Sequence, residues 1–452
     1  MVRLFNAALL LSFLCFAFSA NAQPNCIDCH DDIKEEAFLK SAHGGGDADN
    51  LDKACRACHG NFEVDDDGHE APDAVNCGAC HQDSIKLLQG SIHHPPVKGQ
   101  SGGVACLDCH GNAHELKKSL GDPKDHLATN AMCAQCHDDA MDEYLAGRHG
   151  KSKSPTVAAC IDCHGSHDIL DDADPRSRVF RLNQSETCAA CHMDEQRTDL
   201  PVGSQKKVAD YFMSVHGLAV SKSGLLVSAT CVDCHGSHHV FGPDDEDSPL
   251  ARVNIPALCG KCHAGVEKLY RESVHGAILE KGNDDVPVCT DCHESHAIRS
   301  KWDPKSGSYA TNVPELCLNC HADQAMIVRN GMTEMRAETY NRSYHGAASR
   351  LGDKTVANCT SCHEAHDIRR SDDPKAATHA ANLHETCAKC HKSDDPSSWM
   401  TIGKIHQSTA QESHWVTGLV QNIYWVLIAG SLSFFVGFII LDIRRTIRSR
   451  SK

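Results

Sequence analysis

Residues 159 to 167 read Ala-Cys160-Ile-Asp-Cys163-His164-Gly-Ser-His167. Two thiols lie two residues apart, an imidazole stands directly behind the second, and a further imidazole follows three residues later. The pattern recurs along the whole chain, in thirteen copies of Cys-x-x-Cys-His. They are Cys26 and Cys29 with His30, Cys55 and Cys58 with His59, Cys77 and Cys80 with His81, and Cys106 and Cys109 with His110. Next come Cys133 and Cys136 with His137, Cys160 and Cys163 with His164, Cys188 and Cys191 with His192, and Cys231 and Cys234 with His235. The last five are Cys259 and Cys262 with His263, Cys289 and Cys292 with His293, Cys317 and Cys320 with His321, Cys359 and Cys362 with His363, and Cys387 and Cys390 with His391. They account for every one of the 27 cysteines except Cys15.

This is the spacing of covalent c-type haem attachment. Each thiol can form a thioether with one vinyl group of a haem, and the adjacent His falls beneath the iron as its proximal ligand. Paired Cys-x-x-Cys units also build zinc ribbons, but zinc does not require a His immediately after the second Cys. Disulfides leave that His equally unexplained. Thirteen covalent haems are therefore expected.

The other histidines are not scattered. His43, His149, His216, His275 and His345 each have an aromatic residue five positions earlier and a Gly immediately after, as in Tyr270-Arg-Glu-Ser-Val-His275-Gly. The glycine suggests a left-handed residue closing a helix. His93 occupies the same place, with His94 where Gly would be. A second set follows the motifs: His167, His238, His296 and His366 lie three residues beyond a proximal His, His114 four beyond, and His69 ten beyond. A His so close to its own proximal ligand lies on the same side of that haem, so it must serve a neighbouring one. With His406 or His414 after the last motif, the distal candidates number thirteen, equal to the irons. For His126, His239, His379, His384 and the unused member of each ambiguous pair, a solvated or structural role is expected.

First cysteines of paired motifs are 28 residues apart four times, 27 once and 22 once. The chain thus reads as one single site at Cys26 followed by six diverged two-haem units. Only roughly 32 residues serve each site, too few for a conventional core around each. The expected fold is short α-helices and irregular loops in an elongated, haem-packed repeat architecture, plus one transmembrane helix.

Targeting segments set the boundaries. Residues 1–22, with Arg3, an apolar run and Ser19-Ala20-Asn21-Ala22, read as a secretory signal peptide. Residues 23–414 form the multihaem domain. The stretch 419–441 carries no charge over 23 residues, enough for a hydrocarbon core of about 30 Å. Residues 442–452 form a basic tail, kept in the cytoplasm by the positive-inside rule. The expected location is the bacterial cytoplasmic (inner) membrane, single-pass, with the haem domain in the periplasm. Setting aside Arg3 and the net +4 of the last 11 residues, the formal charge of −16 becomes −21 for the body. Such a surface repels phosphate backbones and argues against nucleic acid as a partner.

The Ser-x-His-Gly and Cys-x-x-Cys-His-Gly-x-His elements, between about residues 26 and 406, resemble those of the multihaem c-type cytochromes of anaerobic respiration. The resemblance implies electron transfer between a quinone-linked membrane subunit and periplasmic redox proteins or extracellular acceptors. It differs in its anchor, which the familiar quinol-oxidising members carry at the N-terminus. With a distal His available for each iron, an electron carrier without catalytic residues is expected. The alternative is a multihaem oxidoreductase acting on a small nitrogen or sulfur compound at one open-coordinated haem.

Overall fold

The computed structural model describes residues 26–45, 51–64, 68–72, 74–94, 103–116, 127–245, 247–332, 336–392, 406 and 415–450. The candidate signal segment 1–22, His126 and His414 lie outside them. Among the described residues there are helices, mostly of four to nine residues, and no strand.

The first motif of most pairs is itself a one-turn helix, as at Cys106–His110, Cys160–His164, Cys231–His235, Cys289–His293 and Cys359–His363. The residue between the cysteines explains why so short a helix forms. In four copies an Asp carboxylate accepts the backbone N–H of the residue before the first Cys, at 2.7 Å for Asp108 and 2.6 Å for Asp162, Asp233 and Asp291. Ser361 does the same from its hydroxyl, at 3.1 Å. These bonds satisfy an amide that the helix start would otherwise leave unpaired. A residue with positive φ stops each helix after its His: Gly111, Gly165 and Gly236, but Glu294 and Glu364 in the last two.

The second motif of a pair ends a longer helix, such as Gln184–His192 or Val313–His321. A tight turn precedes it, pinned by an Asn side chain. Asn183 donates to the carbonyls of Pro175 and Ser177, Asn312 to those of Pro304 and Ser306, and Asn382 to those of Pro374 and Ala376. The repetition of this turn shows that the linkers repeat along with the motifs.

The chain divides into two compact units, residues 1–202 with 224–241, and residues 203–223 with 242–452. In the second unit Ile255, Tyr270, Leu279, Val286 and Val288 form a small apolar cluster. Sixteen apolar residues are buried among those described, too few for an ordinary core in a chain of this length. The cysteines instead stand partly or fully exposed, with no disulfide among the described residues. The fold thus presents its motifs as a surface for cofactor to cover.

One helix differs in kind. Trp415–Arg450 runs for 36 residues, and Gly418–Ser449 within it is long and apolar enough to cross a membrane. At 1.5 Å per residue it is about 54 Å long, more than a hydrocarbon core requires.

Candidate metal centres

The first set of histidines sits where two short helices meet. In the pair Ala264–Glu272 and Val274–Leu279, Ser273 lies between the helices and its hydroxyl accepts the amide of Gly276 at 3.2 Å, which caps the second helix one residue before His275. Ser214 with Gly217 and Ser343 with Gly346 repeat the bond at 3.1 Å, and Ser41 with Gly44 at 3.2 Å. The glycine after each His does not have the left-handed conformation expected from sequence, since none of these positions has positive φ. Its role is close approach. A Cβ on Gly217, Gly276 or Gly346 would lie 2.1–2.2 Å from the carbonyl oxygen of Tyr211, Tyr270 or Tyr340 on the preceding helix.

The aromatic residue five positions before the His also has a defined task. The hydroxyls of Tyr144, Tyr270 and Tyr340 donate to the carbonyls of Ala158, Pro287 and Ala357 at 2.8, 3.0 and 3.2 Å. Each acceptor lies two residues before the first Cys of the next motif. One tyrosine therefore ties the helix leading to the His to the entrance of the following motif.

A further bond links the two sets of histidines, and nothing in the sequence patterning signalled it. The amide one residue before the first-set His donates to the carbonyl two residues after a second-set His. The bonds are Ala42 to Leu116 (2.7 Å), Ile92 to Ile169 (2.9 Å), Arg148 to Val240 (2.9 Å), Val215 to Ile298 (2.8 Å) and Val274 to Ile368 (2.8 Å). Neighbouring repeats are thereby locked in a single register.

That register brings imidazoles together in pairs. Ring centroids lie 5.8 Å apart for His30 and His69, 6.0 Å for His43 and His81, 6.1 Å for His59 and His114, and 6.0 Å for His93 and His137. They lie 5.9 Å apart for His110 and His167, 6.2 Å for His149 and His192, 6.1 Å for His164 and His238, and 6.2 Å for His216 and His263. The series continues with His275 and His321 (6.3 Å), His293 and His366 (6.0 Å), His345 and His391 (6.1 Å), and His363 and His406 (6.1 Å). Each pair joins one motif His to one distal candidate. His235 and His296, the remaining members of the two sets, belong to different units. His235 Nδ1 lies 3.3 Å from the Phe241 carbonyl oxygen, and His296 Nδ1 lies 3.2 Å from the Ser295 hydroxyl.

Two rules describe the pairs. First-set histidines face the second motif of their own repeat, and second-set histidines face a motif of the preceding repeat. None of the paired second-set residues faces the motif it follows in sequence. At the ambiguous positions, His93 rather than His94 faces His137, and His406 faces His363.

The spacing fits an iron between the rings. Two axial imidazoles with metal–nitrogen bonds of about 2 Å would put their centroids about 6 Å apart. The Nε2 atoms of His30 and His69, 3.5 Å apart, point at one another as such a site requires. Burial, with the partner imidazole next, lowers the pKa of His164, His275 and His293, that of His275 to about 4. These rings are thus kept neutral, the form that binds a metal. No group of three or more His, Cys, Asp or Glu side chains converges as a zinc ribbon would require among the described residues.

The thiols form a second pattern. First cysteines of consecutive motifs meet across repeat boundaries: Cys133 with Cys160, Cys188 with Cys231, Cys259 with Cys289 and Cys317 with Cys359. The hydrogen bond within a pair pulls one thiol down, to about 7 for Cys133 and Cys231, and pushes its partner up. Second cysteines approach the other neighbour, Cys163 beside Cys191 and Cys362 beside Cys387. At these positions consecutive motifs are thus neighbours by two alternating kinds of junction.

Exposure of the thiols varies from motif to motif. Cys29, Cys58, Cys80, Cys109, Cys136, Cys262 and Cys390, all second cysteines, stand exposed, whereas the second cysteines Cys163, Cys191, Cys234, Cys292, Cys320 and Cys362 are half-buried. Of the first cysteines described, Cys77 alone is exposed, and Cys26, Cys55, Cys106, Cys259 and Cys387 are half-buried. With so few apolar side chains in the fold, protein packing covers little of the seven exposed second thiols. A haem, when bound, would cover Cys29, Cys58, Cys80, Cys109, Cys136, Cys262 and Cys390.

Comparison with known proteins agrees with this chemistry. The family model described as the doubled CXXCH motif matches residues 275–326, from the helix-borne His275 through both motifs of one repeat. The chain is 22% identical over 395 residues to the high-molecular-weight cytochrome c of Nitratidesulfovibrio vulgaris, covering 82% of this chain and 64% of that protein. The chain is a multihaem c-type cytochrome. This cytochrome is also 24% identical over 215 residues to the multiheme cytochrome MtrA of Shewanella baltica, covering 46% of this chain and 52% of that protein. It thus spans about half to just under two thirds of these relatives. No solved structure matches it. Covalent haem c is its cofactor, held by motif thiols and supplying a one-electron ferric–ferrous couple when bound.

Proposed function

We propose that this cytochrome is a membrane-anchored electron carrier holding thirteen covalent haems, each between two imidazoles. Both thiols of every motif would be used, the exposed Cys29, Cys58, Cys80, Cys262 and Cys390 and the half-buried Cys234 included. The protein would exchange electrons between a quinone-linked membrane partner and periplasmic or extracellular acceptors. The observation that carries the reading is the set of twelve imidazole pairs at iron-spanning distances. An iron closed on both faces changes oxidation state with little ligand rearrangement and offers no position to a substrate. The membrane partner is supported by the apolar Gly418–Ser449 helix, and the periplasmic location by the signal-like segment 1–22 with the basic tail 442–452.

Intact mass and electron paramagnetic resonance of the purified protein test the proposal together. The expected outcome is the mass of thirteen haems on a chain beginning at Gln23, with ferric spectra that are low-spin throughout. A count of ten or fewer would overturn the stoichiometry. A high-spin ferric signal in the native protein would instead favour an oxidoreductase with an open iron.

A further inference from the structure

We propose that the membrane anchor and the haem chain are joined through an iron ligand: His406, on the segment leading into the Trp415–Arg450 helix, closes the site of His363. The inference rests on the reading of the chain as an anchored haem carrier. It assigns to the anchor segment a role in coordination as well as in attachment.

The repeat rule makes the position unusual. His110, His164 and His293, each in the first motif of a pair, take their partners His167, His238 and His366 from the repeat that follows. His363 also belongs to a first motif, but between Cys387 and the membrane helix there is no further motif to supply a partner. His406 fills the place, with its ring centroid 6.1 Å from that of His363.

The orientation of His406 is held from its far side. Its Nδ1 lies 3.1 Å from the Thr339 hydroxyl, and Thr339 is buried. A bond at Nδ1 leaves Nε2 for the metal and sets the tautomer, the usual arrangement behind a metal-bound imidazole. Thr339 lies on the helix Arg336–Arg342 beside Tyr340, whose hydroxyl holds the Ala357 carbonyl at the entrance to Cys359. One helix thus positions both the motif and its second ligand.

Chain length then bounds the location of the site. Eight residues lie between His406 and Trp415, and at full extension the nine steps along the backbone reach about 30 Å. Wherever the rest of the molecule lies, the Cys359 site is therefore tethered near the membrane end of the helix. Its neighbour at Cys387 lies on the helix Leu383–Ala388, which packs against Cys359–His363. These two form the membrane-side end of the chain of sites, and one is complete only when the anchor segment is seated.

The test uses the haem-loaded full-length protein in detergent. His406→Ala should leave haem content unchanged and produce a high-spin ferric signal from about one iron in thirteen, which added imidazole returns to low spin. His414→Ala should produce none. Should the alanine variant lose haem, two shortened chains replace it: one ending at Gln411 should stay low-spin, and one ending at Lys392 should gain the single high-spin iron. A fully low-spin spectrum in His406→Ala with all haems present, or the signal appearing in His414→Ala instead, would overturn the assignment. Failure of membrane quinol to reduce the wild-type protein would count against the proposed function and leave this ligand assignment standing.

Discussion

At Glu294 and Glu364 the backbone turns through a φ of 63° directly after a motif His, where Gly111, Gly165 and Gly236 do the same work in other repeats. A side chain at that φ costs about 1 kcal/mol or more, because its Cβ crowds the adjacent carbonyl. Glu294→Gly is therefore expected to stabilise the protein by about 1 kcal/mol. Glu364→Gly should gain less, since it gives up the exposed 2.9 Å ion pair with Lys389. Denaturant midpoints of the two variants check both expectations. In the chain without haem, acid should act in the opposite direction at His275, where burial and then the neighbouring His321 lower the pKa from 6.5 to about 4. The unfolded chain takes up that proton first as pH falls. Stability contributed by the neutral ring is therefore whole above pH 6.5 and is lost progressively between 6.5 and 4. Urea midpoints falling across that window would show the effect; a flat profile would count against it.

Among the short helices, the junction between two of them matters more than either alone. Gly276 admits the Tyr270 carbonyl into the space a Cβ would fill, and His275 is carried on the same turn. Gly276→Ala must push the two helices apart, at a cost of about 1–3 kcal/mol, and must shift His275 away from His321. A destabilised protein with a high-spin ferric signal from one site is expected. Gly265→Ala, at a position with open space around its Cβ, serves as the control and should leave the spectrum unchanged. Sequence patterning located this element correctly but misjudged its glycine. A Gly after a helical stretch has the same letter whether it supplies positive φ or close approach, and only backbone geometry separates the two.

For the whole molecule, the apolar helix and the acidic body make separable contributions. Removing residues from Trp415 onward should yield a protein that is soluble without detergent, retains all its haems and remains reducible by soluble reductants. It keeps His406, so its ferric spectrum should stay low-spin. Reduction by membrane quinol should fall sharply, and undiminished quinol reduction at matched concentration would show that the anchor does not set the entry point. The body's net −21 is expected to make association with a basic redox partner weaken as salt rises, because exposed charges are screened beyond about 8 Å at physiological ionic strength. Binding measured against ionic strength checks this.

By itself the sequence determined the thirteen Cys-x-x-Cys-His motifs, their repeat and an apolar run long enough to cross a membrane. Thioether tethering and proximal ligation demand contiguous residues, and a bilayer demands an unbroken apolar run, so these requirements are written along the chain. It also marked the histidines available as second ligands, through their helix-borne or post-motif positions. Which His faces which was decided only in three dimensions. The partner of His110 lies 57 residues away at His167, and that of His137 lies 44 residues back at His93. Those pairings follow from backbone bonds such as Ile92 to Ile169 that lock one repeat against the next. An amide and a carbonyl are present at every non-proline residue, so no side-chain pattern announces the register they form, and packing alone selects it.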